Sequence, residues 1–385
     1  MIQLLVSSIV FGLLGRDLYC LYRERGAQGA RARKQRLWLW LVVDLIPIYL
    51  SVGYLIDNPP LVMHISMWII WLWLTVSSAR LCYGFFTWIG LRRVGIVLAT
   101  ISVSAMIYGA TWGRQALRIE EVEICSERIP ESFDGYRIAL FSDLHLGALV
   151  NTKKEVGQVV SAINRNRPDV VFFGGDLVNI RHSELDSMAT RLLQGIAAPV
   201  YSIIGNHDVG TYISDSVALP FEVSYHRLVE QQQAMGWCVL QDTTCYLKRG
   251  TDSISLSGFA YNPHFKEERH DRDLPMSGVE EGYRDVPTSL YNITLIHVPQ
   301  HWDEIIARDY GDLTLSGHTH AMQCKLRLGK GRGLSPARLI YPRWSGRYDE
   351  GRHTLYITDG IGYVAYPMRI GARPELTLIT LKRCE

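Results

Sequence analysis

Five short stretches set Asp, Asn or His where an apolar run stops: SDLHLG (142–147), GGDLVN (174–179), GNHD (205–208), LIHVPQ (295–300) and SGHTH (316–320). Carboxylate, amide and imidazole donors of this kind suit Mn, Fe or Zn better than Ca. Side chains two apart on a strand point the same way, so Asp143 and His145 are expected to converge on one ion, and so are His318 and His320. Two divalent ions about 3.5–4 Å apart can hold both the attacking and the leaving oxygen of a phosphoryl displacement. Taken singly, each stretch has a plain reading. A DxH can be a cap or a turn, GNHD is turn-prone because Gly, Asn and Asp tolerate positive φ, and a lone His297 is more often a core residue. Five of the twelve histidines fall in these stretches, and that concentration favours one shared site.

The stretches need elements to carry them. From residue 136 short apolar strands alternate with helices, at about Lys153–Asn166, Ser183–Gly195 and Tyr225–Met235, and the second half is rich in strands. This pattern predicts an α/β fold over 136–385, with two packed β-sheets flanked by helices. In open α/β sheets, ligand sites gather beyond the carboxyl ends of the strands. Residues 114–135 read as a linker holding a first strand, ALRIEEVEI.

Residues 1–113 have another composition. Leu37–Leu55, Leu61–Ser78 and Val94–Trp112 are apolar runs, each approaching the roughly 20 residues that cross a bilayer core. Met1–Leu14 reads as a fourth, retained span or as a signal-like segment. Six basic residues between Arg23 and Arg36 mark a cytoplasmic loop, because basic loops stay inside. Three crossings from there put the catalytic half outside the cytoplasm, anchored in the cell (inner) membrane and facing its lipid. The net charge of +2 points to no nucleic-acid partner. Of the seven cysteines, Cys238 and Cys245 flank a hairpin turn; two free thiols are the leading reading and a bond between them the alternative.

The ordered set DxH, GD, GNHD, H, GHTH resembles the calcineurin-like metallophosphoesterase superfamily over roughly 136–320. SGHTHAMQ, the SPA at 335–337 and GIGYVAYPMRIGARPELTLITL are similar to its membrane-associated phosphodiesterase branch, which includes YkuE and YaeI. The resemblance implies two divalent ions, manganese favoured, and hydrolysis by water activated between them. It implies Asp143, His145 and His320 on one ion, Asn206, His297 and His318 on the other, and Asp176 shared. It leaves His207 to face the phosphate and protonate the leaving oxygen, oriented by Asp208. Val298 departs from the branch, which often has Asp there.

Tethering beside a bilayer favours a phosphodiester or pyrophosphate lipid as substrate. The branch includes enzymes that cleave UDP-diacylglucosamine, a substrate made on the cytoplasmic side, which conflicts with the outward orientation. Arg343, Arg347 and Arg369, with Trp344 and Tyr348, form a basic and aromatic group for substrate contact, or else a solvated face. Competing readings are a protein phosphatase or cyclic-nucleotide phosphodiesterase, a non-catalytic metal sensor, and a transporter with a regulatory domain.

Overall fold

The computed structural model describes residues 60–210, 212, 221–261, 278–327 and 333–384, with Trp38, Trp40, Asp44 and Leu45. The expected first span, the basic loop 23–36 and most of the Leu37–Leu55 run lie outside the described residues. The chain divides into two compact units: 1–107 with 214–218 and 365–367, and the remainder from Tyr108 onward.

In the first unit, helix α1 runs Pro60–Trp88 and α2 runs Arg92–Thr111. Both are long and apolar enough to cross a membrane. Their outward faces carry Leu61, Val62, Trp68, Leu72, Val97 and Ile101, all exposed. The first helix extends ten residues past the expected end at Ser78. Past Ser78 it meets no Pro and a single Gly, Gly84, before Gly90, and Arg80 is accommodated inside it. Its guanidinium donates to both oxygens of Asp44 at 3.0 and 3.1 Å and lies 4.1 Å from the centre of the Trp40 ring. A charge within an apolar bundle persists where it is paired in this way. Arg80 therefore belongs to a helix, and Arg92 and Arg93 open the next one.

The second unit is a two-sheet sandwich. One sheet has the order β1 (Arg118–Ser126), β12 (Glu375–Arg383), β2 (Arg137–Phe141), β3 (Val170–Phe173), β4 (Val200–Ser202), β5 (Cys238–Val239). The other runs β10 (Gly346–Glu350), β11 (His353–Ile357), β9 (Leu313–Ser316), β8 (Asn292–Leu295), β7 (Asp252–Gly258), β6 (Thr243–Arg249). Leu140, Phe172 and Ile379 from the first meet Leu256, Ile293 and Leu315 from the second in one buried core. Helix α3 (Thr152–Asn166) buries Val156, Val159 and Ile163, the i, i+3, i+7 spacing of an amphipathic helix. Its start is capped by Asn151, whose side chain accepts from Lys154 N at 3.0 Å. Helices α4 (Ser187–Leu193), α5 (Phe221–Ala234), α6 (Val279–Gly282) and α7 (Trp302–Ile306) complete the described layers.

Strands β2, β3 and β4 are parallel neighbours, as are β8 and β9. Parallel pairing brings their carboxyl ends to the same edge, and all five chemistry-bearing stretches leave from those ends. The segment around RLIYP is a 3₁₀ turn, Pro336–Leu339, with Pro at its start, since proline's fixed φ suits a helical first turn. The strand expected within 114–135 is β1, an edge strand paired along its whole length with β12. Cys238 and Cys245 are free thiols, as the leading reading has it, but they stand on different sheets and not across a hairpin turn; a disulfide joins Cys125 to Cys384, with Cα atoms 5.7 Å apart.

That bond ties the edge strand to the chain end across 259 residues. Replacing Cys125 and Cys384 together by Ser is expected to lower stability by about 3–5 kcal/mol, the range for a long closed loop. A urea titration of the double variant against the oxidised parent checks it.

Candidate active site

The site residues stand just past the strands, on loops whose backbone is left-handed. Asp143 (φ 56°), His145 (46°), Asp176 (58°), His318 (73°) and His320 (49°) all have positive φ, a conformation costly for residues other than glycine. Side-chain alternation along a strand therefore does not aim these residues: Asp143 and His145 do share a cluster, but His318 and His320 go to different ones. Turns aim them, and backbone bonds between neighbouring loops hold the turns. Asp143 N donates to Gly175 O, His145 N to Asp176 O and Leu146 N to Leu177 O, at 2.9, 3.1 and 3.0 Å. Two glycines permit the closeness. A Cβ on Gly317 would lie 2.2 Å from Asp143 Oδ2, and one on Gly205 would lie 2.2 Å from Asp176 Oδ1.

Two clusters result. In the first, His145 Nε2 and His320 Nε2 stand 3.0 Å apart, and Asp143 Oδ1 is 3.3 Å from His320 Nε2. In the second, His318 Nδ1 is 2.9 Å from Asn206 Oδ1 and groups with His297 and Asp176. Asp176 Oδ2 joins the two, 3.6 Å from His145 Nε2 and 3.1 Å from His297 Nε2. Apart from His318, which is half-buried, these seven side chains are nearly or wholly buried.

The electrostatics favour a cation in each cluster. Burial pushes the His145, His318 and His320 imidazoles down, His318 to about 3, so their ring nitrogens keep free lone pairs. Burial also lifts the Asp143 carboxyl to about 6. Asp176 resists the same burial because His297 and then His207 hold it well below the usual carboxylate range. His297 is the converse: burial opposes its charge, but Asp176 lifts it to about 9. Its Nδ1 lies 2.8 Å from Gly174 O, where a ring N–H donates to the carbonyl, and its Nε2 faces Asp176 Oδ2. Lone pairs aimed at one another and at carboxylates are repulsive until a positive charge sits between them. The donor set, imidazole and carboxylate with one amide, fits a divalent transition metal.

His207 is half-buried beside both clusters. Its Nδ1 donates to Asn179 O at 2.6 Å, which leaves Nε2 for a substrate. A family model described as calcineurin-like phosphoesterase matches residues 136–322. Over 404 residues the chain is 31% identical to the transmembrane protein with metallophosphoesterase domain of Danio rerio, covering 93% of this chain and 83% of that one. The chain belongs to the calcineurin-like metallophosphoesterases. It is also 30% identical to the uncharacterized metallophosphoesterase YkuE of Bacillus subtilis (strain 168), covering 68% of this chain and 84% of that one. As a metallophosphoesterase it is a metal-dependent phosphoric ester hydrolase.

Several side chains of this metallophosphoesterase stand elsewhere than expected. Asp208 does not orient His207. Its carboxylate accepts from Asp176 N, Val178 N and Gly205 N at 2.8, 3.0 and 3.0 Å, tying two loops together. Arg343 pairs with Asp303 at 2.8 Å and lies over Trp302. Arg347 pairs with Asp349 and donates to Glu123 O, at the sheet edge. Trp344 is buried and receives the Thr319 hydroxyl on its carbonyl. Arg369 is wholly buried, so it cannot meet substrate. Its guanidinium bonds the carbonyls of Gly362, Asp359 and Ala372 and reaches His320 Nδ1 at 3.0 Å.

Two contributors were not singled out by sequence. Tyr212 stacks on His207 at 4.5 Å, and its hydroxyl accepts from Asn206 Nδ2 at 3.1 Å. Glu184 is half-buried and accepts from the backbone N–H groups of Gly147, Asn179, Ile180 and Arg181. It joins the loops that carry His145 and Asp176. The only sequence signal for it is a carboxylate downstream of GGDLVN, which is too common to read.

Burial lifts the Glu184 carboxyl to about 7, against those four donors. Glu184→Ala leaves the donors without an acceptor and is expected to cost about 3–5 kcal/mol, at 1–3 for each buried group fully stranded, read as a lower urea midpoint. The sign with pH also follows. The folded carboxyl holds its proton to about pH 7, whereas the unfolded one loses it near pH 4.3. Its contribution is full at low pH and is lost as pH rises through about 7. Wild type is expected to lose stability relative to Glu184→Gln across that interval, and parallel curves would count against it.

Proposed function

We propose that this protein is a membrane-anchored phosphodiesterase or pyrophosphatase that hydrolyses a lipid-linked or membrane-proximal phosphate ester outside the cytoplasm. The observation that carries the reading is one carboxylate oxygen of Asp176 facing His145 and His297 at once. Asp143, His145 and His320 would hold one divalent ion, Asn206, His297 and His318 the other, and Asp176 both. Manganese is favoured over iron or zinc. When bound, the ions offset the charge of the phosphate and make water acidic enough to attack near neutral pH.

The chain's own groups supply the rest. Water bonds to phosphorus as the ester P–O bond breaks, and the leaving oxygen takes a proton from His207 Nε2. The Asn179 carbonyl on Nδ1 fixes the ring for that transfer. Tyr212, packed on the imidazole face, limits its rotation. Asn206 is a neutral donor, which keeps the pocket from repelling an anionic ester.

Two observations support the membrane setting. The Danio rerio relative is named a transmembrane protein, and two apolar helices precede the catalytic fold. The Cys125–Cys384 bond supports the outward orientation, because disulfides persist in oxidising compartments.

Full-length protein in detergent is expected to cleave bis(p-nitrophenyl) phosphate faster than p-nitrophenyl phosphate with Mn present and to stop with chelator. His207→Ala should retain metal by elemental analysis and lose about 10²–10⁴-fold in turnover, the usual contribution of a general acid. Full turnover in that variant would refute the assignment. For orientation, a membrane-impermeant maleimide should label Cys238, an exposed thiol, on intact spheroplasts. Labelling only after lysis would place the domain inside.

A further inference from the structure

Asn206 is the one amide among the seven residues assigned to the ions. The two ends of an amide are nearly equal in shape, but one accepts hydrogen bonds and the other donates two. Facing an ion, Oδ1 is a ligand and Nδ2 is not. The Nδ2 end must then find an acceptor elsewhere, because a buried donor left without one is costly. Asn206 is only 6% exposed.

Tyr212 stands where that acceptor is needed. Asn206 Oδ1 lies 2.9 Å from His318 Nδ1, inside the second cluster. Asn206 Nδ2 donates to the Tyr212 hydroxyl at 3.1 Å. The Tyr212 ring stacks on His207, with centres 4.5 Å apart and planes at 27°. His207 also stands at 88° to His145, with ring centres 4.7 Å apart. The His207 ring thus touches the first cluster directly, through His145, and the second through Tyr212 and Asn206.

The local chain makes this arrangement possible. Val209 is buried beside Ile204 and Val229, which anchors the residue after GNHD. Gly210 then adopts a left-handed φ of 75°, which glycine takes without steric cost. That turn brings Tyr212 back over the stretch it follows.

We infer that Tyr212 is a positioning residue that ties the second ion to His207. Its hydroxyl holds Asn206 with Oδ1 toward the ion, and its ring holds the imidazole toward the leaving oxygen. A hydroxyl can donate as well as accept, so without an ion either end of the amide could face it. With an ion on Oδ1, only the N–H end can, and the hydroxyl then stabilises the ion-binding orientation. This role for Tyr212 rests on the two-ion reading of the preceding section.

Tyr212 is 43% exposed, so replacing it removes no core, and its variants are expected to keep the wild-type urea midpoint. The test strips full-length protein in detergent with chelator and titrates it with Mn by equilibrium dialysis. Wild type is expected to take up two ions. Tyr212→Phe keeps the ring and loses the hydroxyl. One step of its isotherm should weaken about ten-fold, as loss of a ligand's outer partner does, and the other should stay as in wild type. Its turnover of bis(p-nitrophenyl) phosphate should still rise with Mn where the wild type is already saturated. Tyr212→Leu loses both contacts. It should show the same weakened step and, at saturating Mn, turn over about ten-fold more slowly than Tyr212→Phe, because the ring of His207 is no longer held. Binding of both ions by Tyr212→Phe as tightly as by wild type overturns this role. So does equal weakening of both steps, the mark of a general loss of structure. A wild type that takes up a single ion refutes the two-ion reading itself, and the role of Tyr212 with it.

Discussion

A carboxylate buried among imidazoles is the constraint around which this catalytic unit is arranged. Asp176 is 1% exposed, and an isolated anion at that depth costs several kcal/mol in real proteins. It is tolerable because His297 and His145 stand against one oxygen while the other accepts the His207 N–H at 2.8 Å. Each of those partners comes from a different strand end. The parallel order of β2, β3 and β4, and of β8 with β9, is what lets one side chain meet all of them. Removing any loop would leave both a buried charge and a buried lone pair without compensation.

That constraint also accounts for the local strain. His320, Ala321, Met322 and Gln323 form four consecutive left-handed residues, which L-amino acids avoid. The turn survives because its surroundings fix it at several points. Ile370 N donates to Gln323 O and Gln323 Nε2 to Met368 O, at 2.8 and 3.1 Å. Ala321, Met322, Ala337, Trp344 and Ala372 pack together around it. Apart from Trp344, these are residues of HAMQ, SPA and MRIGARPEL. The tail motif that carries the resemblance to one branch of the family is thus the mould for a single strained turn, and that turn aims His320.

The chemistry was legible in the sequence because it sits in contiguous stretches: a strand, a stop, then Asp or His. The sandwich was legible for the same reason, since each strand is a short apolar run with its own boundaries. What could not be read depends on pairing between distant residues. Cys125 finds Cys384 only because β1 lies parallel to β12, a neighbour relation that no local pattern encodes. Asp208 was assigned to His207 by adjacency, yet its carboxylate turns to three backbone N–H groups and a carbonyl from another loop holds the ring. The arginines were grouped by composition. Two of them pair with nearby carboxylates, and the third is buried, because a guanidinium can satisfy five donors only where carbonyls converge.

Arg369 joins the two halves of the problem. Its amide bonds to Gly109 O at the end of the apolar helix, and its guanidinium reaches His320 Nδ1. A Cβ on Gly113 would lie 2.1 Å from Arg369 O, so the helix exit and this residue share a contact with no room for a side chain. Nearby, Arg114 donates to Glu155 at 2.6 Å and to the Tyr363 hydroxyl at 3.2 Å, all three buried. Tyr363 lies one residue from Gly362, whose carbonyl holds Arg369. The last turn of α2 and the residues that follow it are therefore part of the packing behind His320. The compact unit that holds the site begins at Tyr108, within the apolar helix. A chain cut between that helix and the sandwich would take with it the carbonyl that positions Arg369, and with Arg369 the support of His320.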